Sequence, residues 1–239
     1  VMRLDVALVA RGLARSRNQA ARLIADGQVR VDGTVASKPS QPVTEASQLT
    51  ATLEPWVSRA AHKLLGALEE SDTAVPARVL DAGASTGGFT QVCLSRGAER
   101  VYAFDVGHDQ LAAELRLDPR VVRRDGINLR DLTLADLDEK PVDLVVADVS
   151  FISLTILLPP LLSVLDPGGK ALLLVKPQFE VGRDRLGSGG VVRDDADRRR
   201  AVDTVVEAAA RLGWRCDWRG TSVLPGADGN VEFFVRLVF

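Results

Sequence analysis

The chain is 239 residues long, with 46% hydrophobic and 26% charged residues and a formal net charge of −2. That length allows one large domain or two unequal ones, and the composition is that of a soluble globular protein, which excludes wholesale disorder. Two cysteines, Cys93 and Cys216, cannot form a disulfide scaffold and suit a reducing compartment, and the two histidines, His62 and His108, offer no zinc-ligand spacing.

No cationic apolar leader opens the chain. Its longest apolar stretch, residues 151–165, is interrupted by Ser153, Thr155, Pro159, Pro160 and Ser163, whereas a bilayer span needs about 20 apolar residues. A cytoplasmic protein with no membrane partner is expected. The charge is unevenly spread. Residues 1–38 carry seven basic side chains against three acidic ones, +4, and the remainder carries 23 against 29, −6. A basic head on an acidic body suggests a separate electrostatic task for the head.

In chain order, LDVALVARG reads as a helix with Leu4, Ala7 and Leu8 on one face and Gly12 as its stop. Ser16 then opens a second helix, with Gln19 three residues on completing a capping box. Ala20, Leu23 and Ile24 form its apolar stripe, and Gly27 is its left-handed terminator. VRVDGTVA follows, two short segments around Asp32-Gly33, the sequence of a type I′ hairpin. Two short helices and a hairpin, with arginines at the second helix's entrance, resemble the αL RNA-binding domain of a small-subunit ribosomal protein, pseudouridine synthases and tyrosyl-tRNA synthetase. The resemblance implies RNA binding through Arg3, Arg15, Arg17 and Arg22, by phosphate contact and shape. The domains expected are a head over 1–53, a linker over 54–57 and a body over 58–239. Glu54-Pro55 marks the boundary. Ser58 can cap a helix whose Ala61, Leu64, Leu65 and Leu68 face a core, with Lys63 beside that stripe.

The body alternates strands and helices. ARVLDAGA, RVYAFDVG, VDLVVADVS and KALLLVKP are apolar runs without strict alternation, as parallel strands buried on both faces require. The fold class is therefore α/β, a doubly wound Rossmann-like sheet with a small N-terminal α+β domain. GNVEFFVRLVF reads as an antiparallel terminal addition, and the glycine-rich loop over 182–190 as a mobile segment.

DAGASTGGFT, residues 81–90, ends the first body strand and opens a helix. Its glycines, Gly83, Gly87 and Gly88, do not have the dinucleotide spacing G-x-G-x-x-G. Asp105 ends the next strand, where an acid can hold both ribose hydroxyls, while the loop approaches a moiety carrying no phosphate. The arrangement resembles the first motifs of class I S-adenosylmethionine-dependent methyltransferases. It implies a cofactor site of Asp81, Gly83, Ser85, Thr86, Gly87, Gly88, Phe89 and Asp105, with Asp125 at the adenine.

Asp148 and Lys176 close the next two strands, so both should face the crevice at the strands' carboxyl ends, and Glu232 stands in the terminal strand. With Lys63 they give the order Lys63–Asp148–Lys176–Glu232, which resembles the tetrad of FtsJ-like RNA 2′-O-methyltransferases. VADVSFISL, LVKPQFEVG and GNVEFFV behind an RNA-binding head resemble the TlyA rRNA methyltransferases, often labelled hemolysins. That resemblance implies in-line transfer of a methyl group from S-adenosylmethionine to a cytidine ribose in ribosomal RNA. Lys176 would activate or orient the hydroxyl, Lys63 would assist, Asp148 would position Lys176, and Glu232 would steer the network. No metal is implied. The family's linker commonly reads Arg-x-Trp-Val, and Glu54-Pro55-Trp56-Val57 replaces that arginine with an acid. The short termini suggest the type of member that prefers the large subunit. Three alternatives stand beside this reading: a nicotinamide dehydrogenase, a noncatalytic ribosome-assembly factor, and a pore-forming hemolysin.

Overall fold

The computed structural model describes residues 1–51, 55–182, 185–226 and 228–239. The chain divides into two compact units, Val1–Pro55 and Trp56–Phe239. Linker residue Glu54 and residues 183–184 of the glycine-rich loop lie outside the described residues.

The first unit runs β1 (Met2–Arg3), α1 (Leu4–Ala10), α2 (Arg17–Ala25), β2 (Val29–Val31), β3 (Thr34–Val35), β4 (Pro42–Val43) and β5 (Leu49–Ala51). β2 is central to a three-stranded antiparallel sheet of order β3-β2-β5, while β1 and β4 form a separate ribbon. Leu4, Ala7 and Leu8 of α1 bury against Ala20, Leu23 and Ile24 of α2 and Val29 and Val31 of β2. Asp32 and Gly33 both have positive φ, +50° and +80°, as a type I′ turn demands. Ser16 caps α2 by accepting the Gln19 N–H at 3.2 Å. The reciprocal bond differs from the expected box, because Gln19 Oε1 takes the N–H of Arg15, at 2.6 Å, one residue earlier.

The second unit runs α3 (Ala60–Glu70), β6 (Arg78–Ala82), α4 (Gly88–Ser95), β7 (Arg100–Asp105), α5 (Ala113–Arg116), β8 (Val121–Asp125), β9 (Val142–Ala147), α6 (Leu154–Ser163), β10 (Leu165–Val175), α7 (Pro177–Glu180), α8 (Asp195–Arg211), β11 (Arg215–Thr221) and β12 (Phe233–Val238). Seven strands form one sheet in the order β11-β12-β10-β9-β6-β7-β8. β10, β9, β6, β7 and β8 are parallel, and β12 is antiparallel to both β10 and β11. The chain leaves β6 for β7 on one side and later returns to β9 on the other, so the topological switch point falls between β6 and β9. Ligands of open α/β sheets bind there, beyond the carboxyl ends of the strands.

Successive strand residues feed opposite layers. Leu80, Tyr102, Val145 and Leu173 pack with α6 and α8 through Leu157, Leu161, Val205 and Ala209. Val79, Val101, Leu144 and Leu172 pack with α3 and α4 through Leu64, Leu68, Phe89 and Val92. Burial on both faces accounts for the unbroken apolar runs of these strands. Pro159 and Pro160, which interrupt the apolar stretch in sequence, lie inside α6, which continues past them to Ser163.

In the second unit the sequence expectations need three further adjustments. β8 and β11 were not among the expected strands; they are the sheet's two edges and carry charged side chains instead of apolar runs. Glu232 lies one residue before β12, outside the strand. The N-cap of α3 is Arg59, and Ser58 one residue earlier accepts the Ala60 N–H at 3.1 Å.

Phe234 of β12 is buried and its ring stacks on Phe89 of α4, with centroids 6.2 Å apart. This contact pins the segment carrying Glu232 against the layer that carries the glycine loop. Phe234→Ala should cost about 3–5 kcal/mol, read as a lower urea midpoint with an unchanged m-value.

Candidate active site

The glycine loop bends sharply at the carboxyl end of β6. Gly83 and Gly87 have φ of +84° and +97°, and Ser85 between them also sits at +47°. Glycine is required at both turns. A Cβ on Gly83 would lie 2.7 Å from the Asp148 carbonyl oxygen, and one on Gly87 would lie 2.2 Å from a Leu115 methyl. Ser85 has a side chain in a region that disfavours one, a strain of the kind that concentrates at functional sites. The Asp105 carboxylate holds the loop in place, accepting the Ser85 N–H at 2.8 Å and the Gly107 N–H at 2.7 Å. These bonds leave lone pairs on both oxygens of Asp105. Gly83, Ser85, Thr86, Gly88 and Phe89 line a cleft of about 170 Å³ together with Ser58, Asp148, Ser150 and Lys176.

Lys176 follows the last residue of β10 and is 9% exposed. Its Nζ stands 2.6 Å from Asp148 Oδ1 and donates to Ser150 Oγ at 2.8 Å. One strand over, Lys63 Nζ of α3 donates to Glu232 Oε2 at 2.6 Å, with side-chain exposures of only 11% and 2%. β10 and β12 pair up to Val175 with Phe233. Carried one residue further, that register sets Lys176 opposite Glu232. The four residues thus form two lysine–carboxylate pairs at the end of the sheet where β9 and β10 finish.

Asp81 and Asp125 take other positions. Asp81 is fully buried beneath the loop, where its Oδ2 accepts the Thr90 hydroxyl at 2.6 Å and Oδ1 has no hydrogen-bond partner. Burial, helped by the charges of Asp148 and Asp105, pushes its carboxyl up to about 7 against the opposing Thr90 hydrogen bond. Asp125 lies opposite Asp105 in the register of β7 and β8. Its carboxylate is engaged by the Arg123 guanidinium and the Asp109 N–H, and these bonds hold it below the usual carboxylate range.

In the first unit, Arg3 and Arg17 both bond to Asp5, and Arg22 is exposed on α2. Arg15, also exposed, immediately precedes the Ser16 cap.

Sequence reasoning missed three residues of the second unit. Ser150 is the hydroxyl partner of Lys176. Glu180 accepts the Ser153 hydroxyl at 2.5 Å and the Leu154 N–H at 2.8 Å, tying α7 to the start of α6; burial raises its carboxyl above the usual value. Phe151, between them, is 91% exposed at φ +64° with its ring 5.4 Å from that of Phe179. The sequence carries no signal for it, since the exposure of the ring and the positive φ belong to the folded structure.

Residues 56–239 match the FtsJ-like methyltransferase family, and residues 2–49 match the S4 domain. Among curated relatives, the 16S/23S rRNA (cytidine-2′-O)-methyltransferase TlyA of Mycobacterium tuberculosis is 52% identical, the match covering 98% of this chain and 89% of the relative. The 23S rRNA (cytidine-2′-O)-methyltransferase TlyA of Campylobacter jejuni is 34% identical over 98% of both. A solved Streptococcus thermophilus protein carrying a hemolysin label is 38% identical, with a TM-score of 0.78 over 98% of this chain and 87% of that one. The chain belongs to the TlyA family of FtsJ-like methyltransferases. Among the described residues, no helix is long and apolar enough to cross a membrane.

The raised carboxyl of Asp81 has a consequence for stability. An ordinary unfolded carboxyl titrates near 3.8, and Asp81 in the fold near 7. Between those values the folded form holds the extra proton, so the contribution of Asp81 to stability falls as pH rises through that window. Asp81→Asn cannot titrate. Thermal melts from pH 4 to 8 should show the variant gaining on the parent up to about pH 7 and levelling off above it; a constant difference would remove Asp81 as the titrating group.

Proposed function

We propose that this chain transfers the methyl group of S-adenosylmethionine to the ribose 2′-hydroxyl of a cytidine in ribosomal RNA. The observation that carries this reading is Lys176, held between Asp148 and Ser150 at the rim of the cleft formed by the glycine loop. The donor set suits the cofactor. Asp105 ends β7 with lone pairs to spare for a ribose diol, and the loop's backbone comes close without a phosphate-binding spacing. Gly83, Ser85, Thr86, Gly87, Gly88 and Phe89 would bound the methionine end. Asp81 would hold the loop from below through Thr90 on α4, and Asp125 would shape the adenine end through the turn it bonds at Asp109.

When bound, S-adenosylmethionine supplies an electrophilic methyl on a sulfonium, whose sulfur takes the electron pair of the breaking C–S bond. The residues of this chain supply position. Lys176, held as an ammonium by Asp148 at 2.6 Å, orients the 2′-hydroxyl while its oxygen lone pair forms the new O–C bond, and the hydroxyl proton is released to solvent. Lys63 and Glu232 neutralise one another beside it, so neither leaves an unpaired charge near the reacting oxygen. Phe151 offers its exposed face for stacking the target base, as RNA-binding proteins commonly do with single-stranded nucleotides.

Arg3, Arg15, Arg17 and Arg22 of the head would contact phosphates of the same RNA. The 23S molecule is the substrate shared by the printed names of the two TlyA relatives, which supports a large-subunit cytidine as the target. The site of action would then be the cytoplasm, where ribosomes assemble.

Lys176→Ala should abolish transfer of a labelled methyl group to ribosomal subunits while calorimetry shows cofactor affinity within about threefold of the parent. This loss follows from removing the group that positions the attacking hydroxyl. Asp105→Ala should do the opposite, weakening the cofactor at least tenfold (about 1.4 kcal/mol). Near-normal turnover of Lys176→Ala would remove that residue from the reaction.

A further inference from the structure

Two arginines of the first unit converge on one buried carboxylate. Asp5, in the first turn of α1, is 4% exposed. Arg3 donates from Nε to Asp5 Oδ1 at 3.0 Å and from Nη2 to Oδ2 at 3.1 Å. Arg17, twelve residues later at the start of α2, donates from Nε at 3.2 Å and Nη2 at 3.0 Å to the same Oδ2. Oδ1 also accepts the Val6 N–H at 3.1 Å. The arginines themselves stay half exposed, at 51% and 60%.

The donor count shows what remains. A guanidinium carries five N–H groups in one plane, and each arginine spends two on Asp5. Three are left on each, along the Nη1 side and the outer Nη2 hydrogen. The carboxylate carries one charge against two, so the cluster keeps a net +1. A hydrogen bond from Arg3, reinforced by Arg17, holds Asp5 down to about 2, so it remains ionised at any working pH.

An acid buried on an RNA-binding face is unfavourable on charge alone, since it repels phosphate and costs desolvation. We infer that Asp5 is a positioning residue that fixes Arg3 and Arg17 side by side as a single fork for one phosphodiester of the RNA backbone. The inference rests on the reading of the head as an RNA-binding unit. Long arginine side chains lose rotamer freedom when they clamp a ligand. Asp5 imposes that loss during folding, so binding does not bear it again.

This makes a prediction opposite in sign to simple charge counting. In the 239-residue chain, binding to deproteinised 23S rRNA is measured by filter retention across a potassium chloride series. Asp5→Asn removes a negative charge yet should weaken binding about tenfold through the freed side chains. Asp26→Asn, a control at the exposed C-terminal end of α2, should bind equally well or slightly tighter. In an Arg3→Ala/Arg17→Ala background, Asp5→Asn should have no further effect. Equal or tighter binding by Asp5→Asn, or an additive loss in that background, overturns the fork but leaves the head as an RNA binder. An unchanged affinity and salt slope in Arg3→Ala/Arg17→Ala overturns the reading of these head arginines as phosphate contacts, and the fork with it. If Asp5→Asn melts the head, the parent protein still decides the matter. Its Arg3 and Arg17 Nε–H groups should be as rigid as the backbone by ¹⁵N relaxation, and that of exposed Arg22 mobile; equal mobility of all three contradicts the fork.

Discussion

A lysine that stays charged beneath a protein surface needs a carboxylate close beside it, because an unpaired buried charge costs several kcal/mol. Lys63 and Lys176 are both in that position, each 2.6 Å from a carboxylate oxygen. The rest of the second unit is arranged around this requirement. The four partners come from α3, from the ends of β9 and β10, and from the residue before β12, so the sheet order must be right before either pair can form. Gly83 approaches the Asp148 carbonyl closely enough to exclude a side chain, locking the glycine loop to the same end of the sheet. Phe234 on Phe89 fixes the remaining member, Glu232, from the opposite layer.

Much of this was legible in the sequence, for physical reasons. β6, β7, β9 and β10 are central strands buried on both faces, so their apolar runs are continuous and announce themselves. The loop motif is legible because its glycines answer a steric demand at fixed offsets from a strand. β8 and β11 were missed because edge strands need no second apolar face; VVRRD and RCDWRGT keep charges where a central strand would carry aliphatic side chains. The β1–β4 ribbon has only two residues on each side, too few for any periodicity.

Within the site, charge order pointed to Lys63, Asp148, Lys176 and Glu232, yet which lysine meets which carboxylate depends on strand register and is invisible in one dimension. Ser150 and Glu180 were missed for a related reason. A hydroxyl in a turn and an acid on a short helix are ordinary in sequence; only their partners, Lys176 and the start of α6, distinguish them. The same holds for Asp5, which reads as a first-turn acid at a helix start and is tied in the structure to two arginines.

The two units divide the work by charge. The head carries its excess of arginine, and the body, acidic as a whole, keeps Lys63 and Lys176 each paired with a carboxylate. Such a division assigns grip to one unit and chemistry to the other, and the chemistry has a single distinguishing product. Ribosomal RNA incubated with the protein and labelled S-adenosylmethionine can be digested to nucleosides and resolved by mass spectrometry. The account predicts label in 2′-O-methylcytidine, with the added mass on the ribose fragment. Label on a base, or no transfer to ribosomal RNA from either subunit, would contradict it.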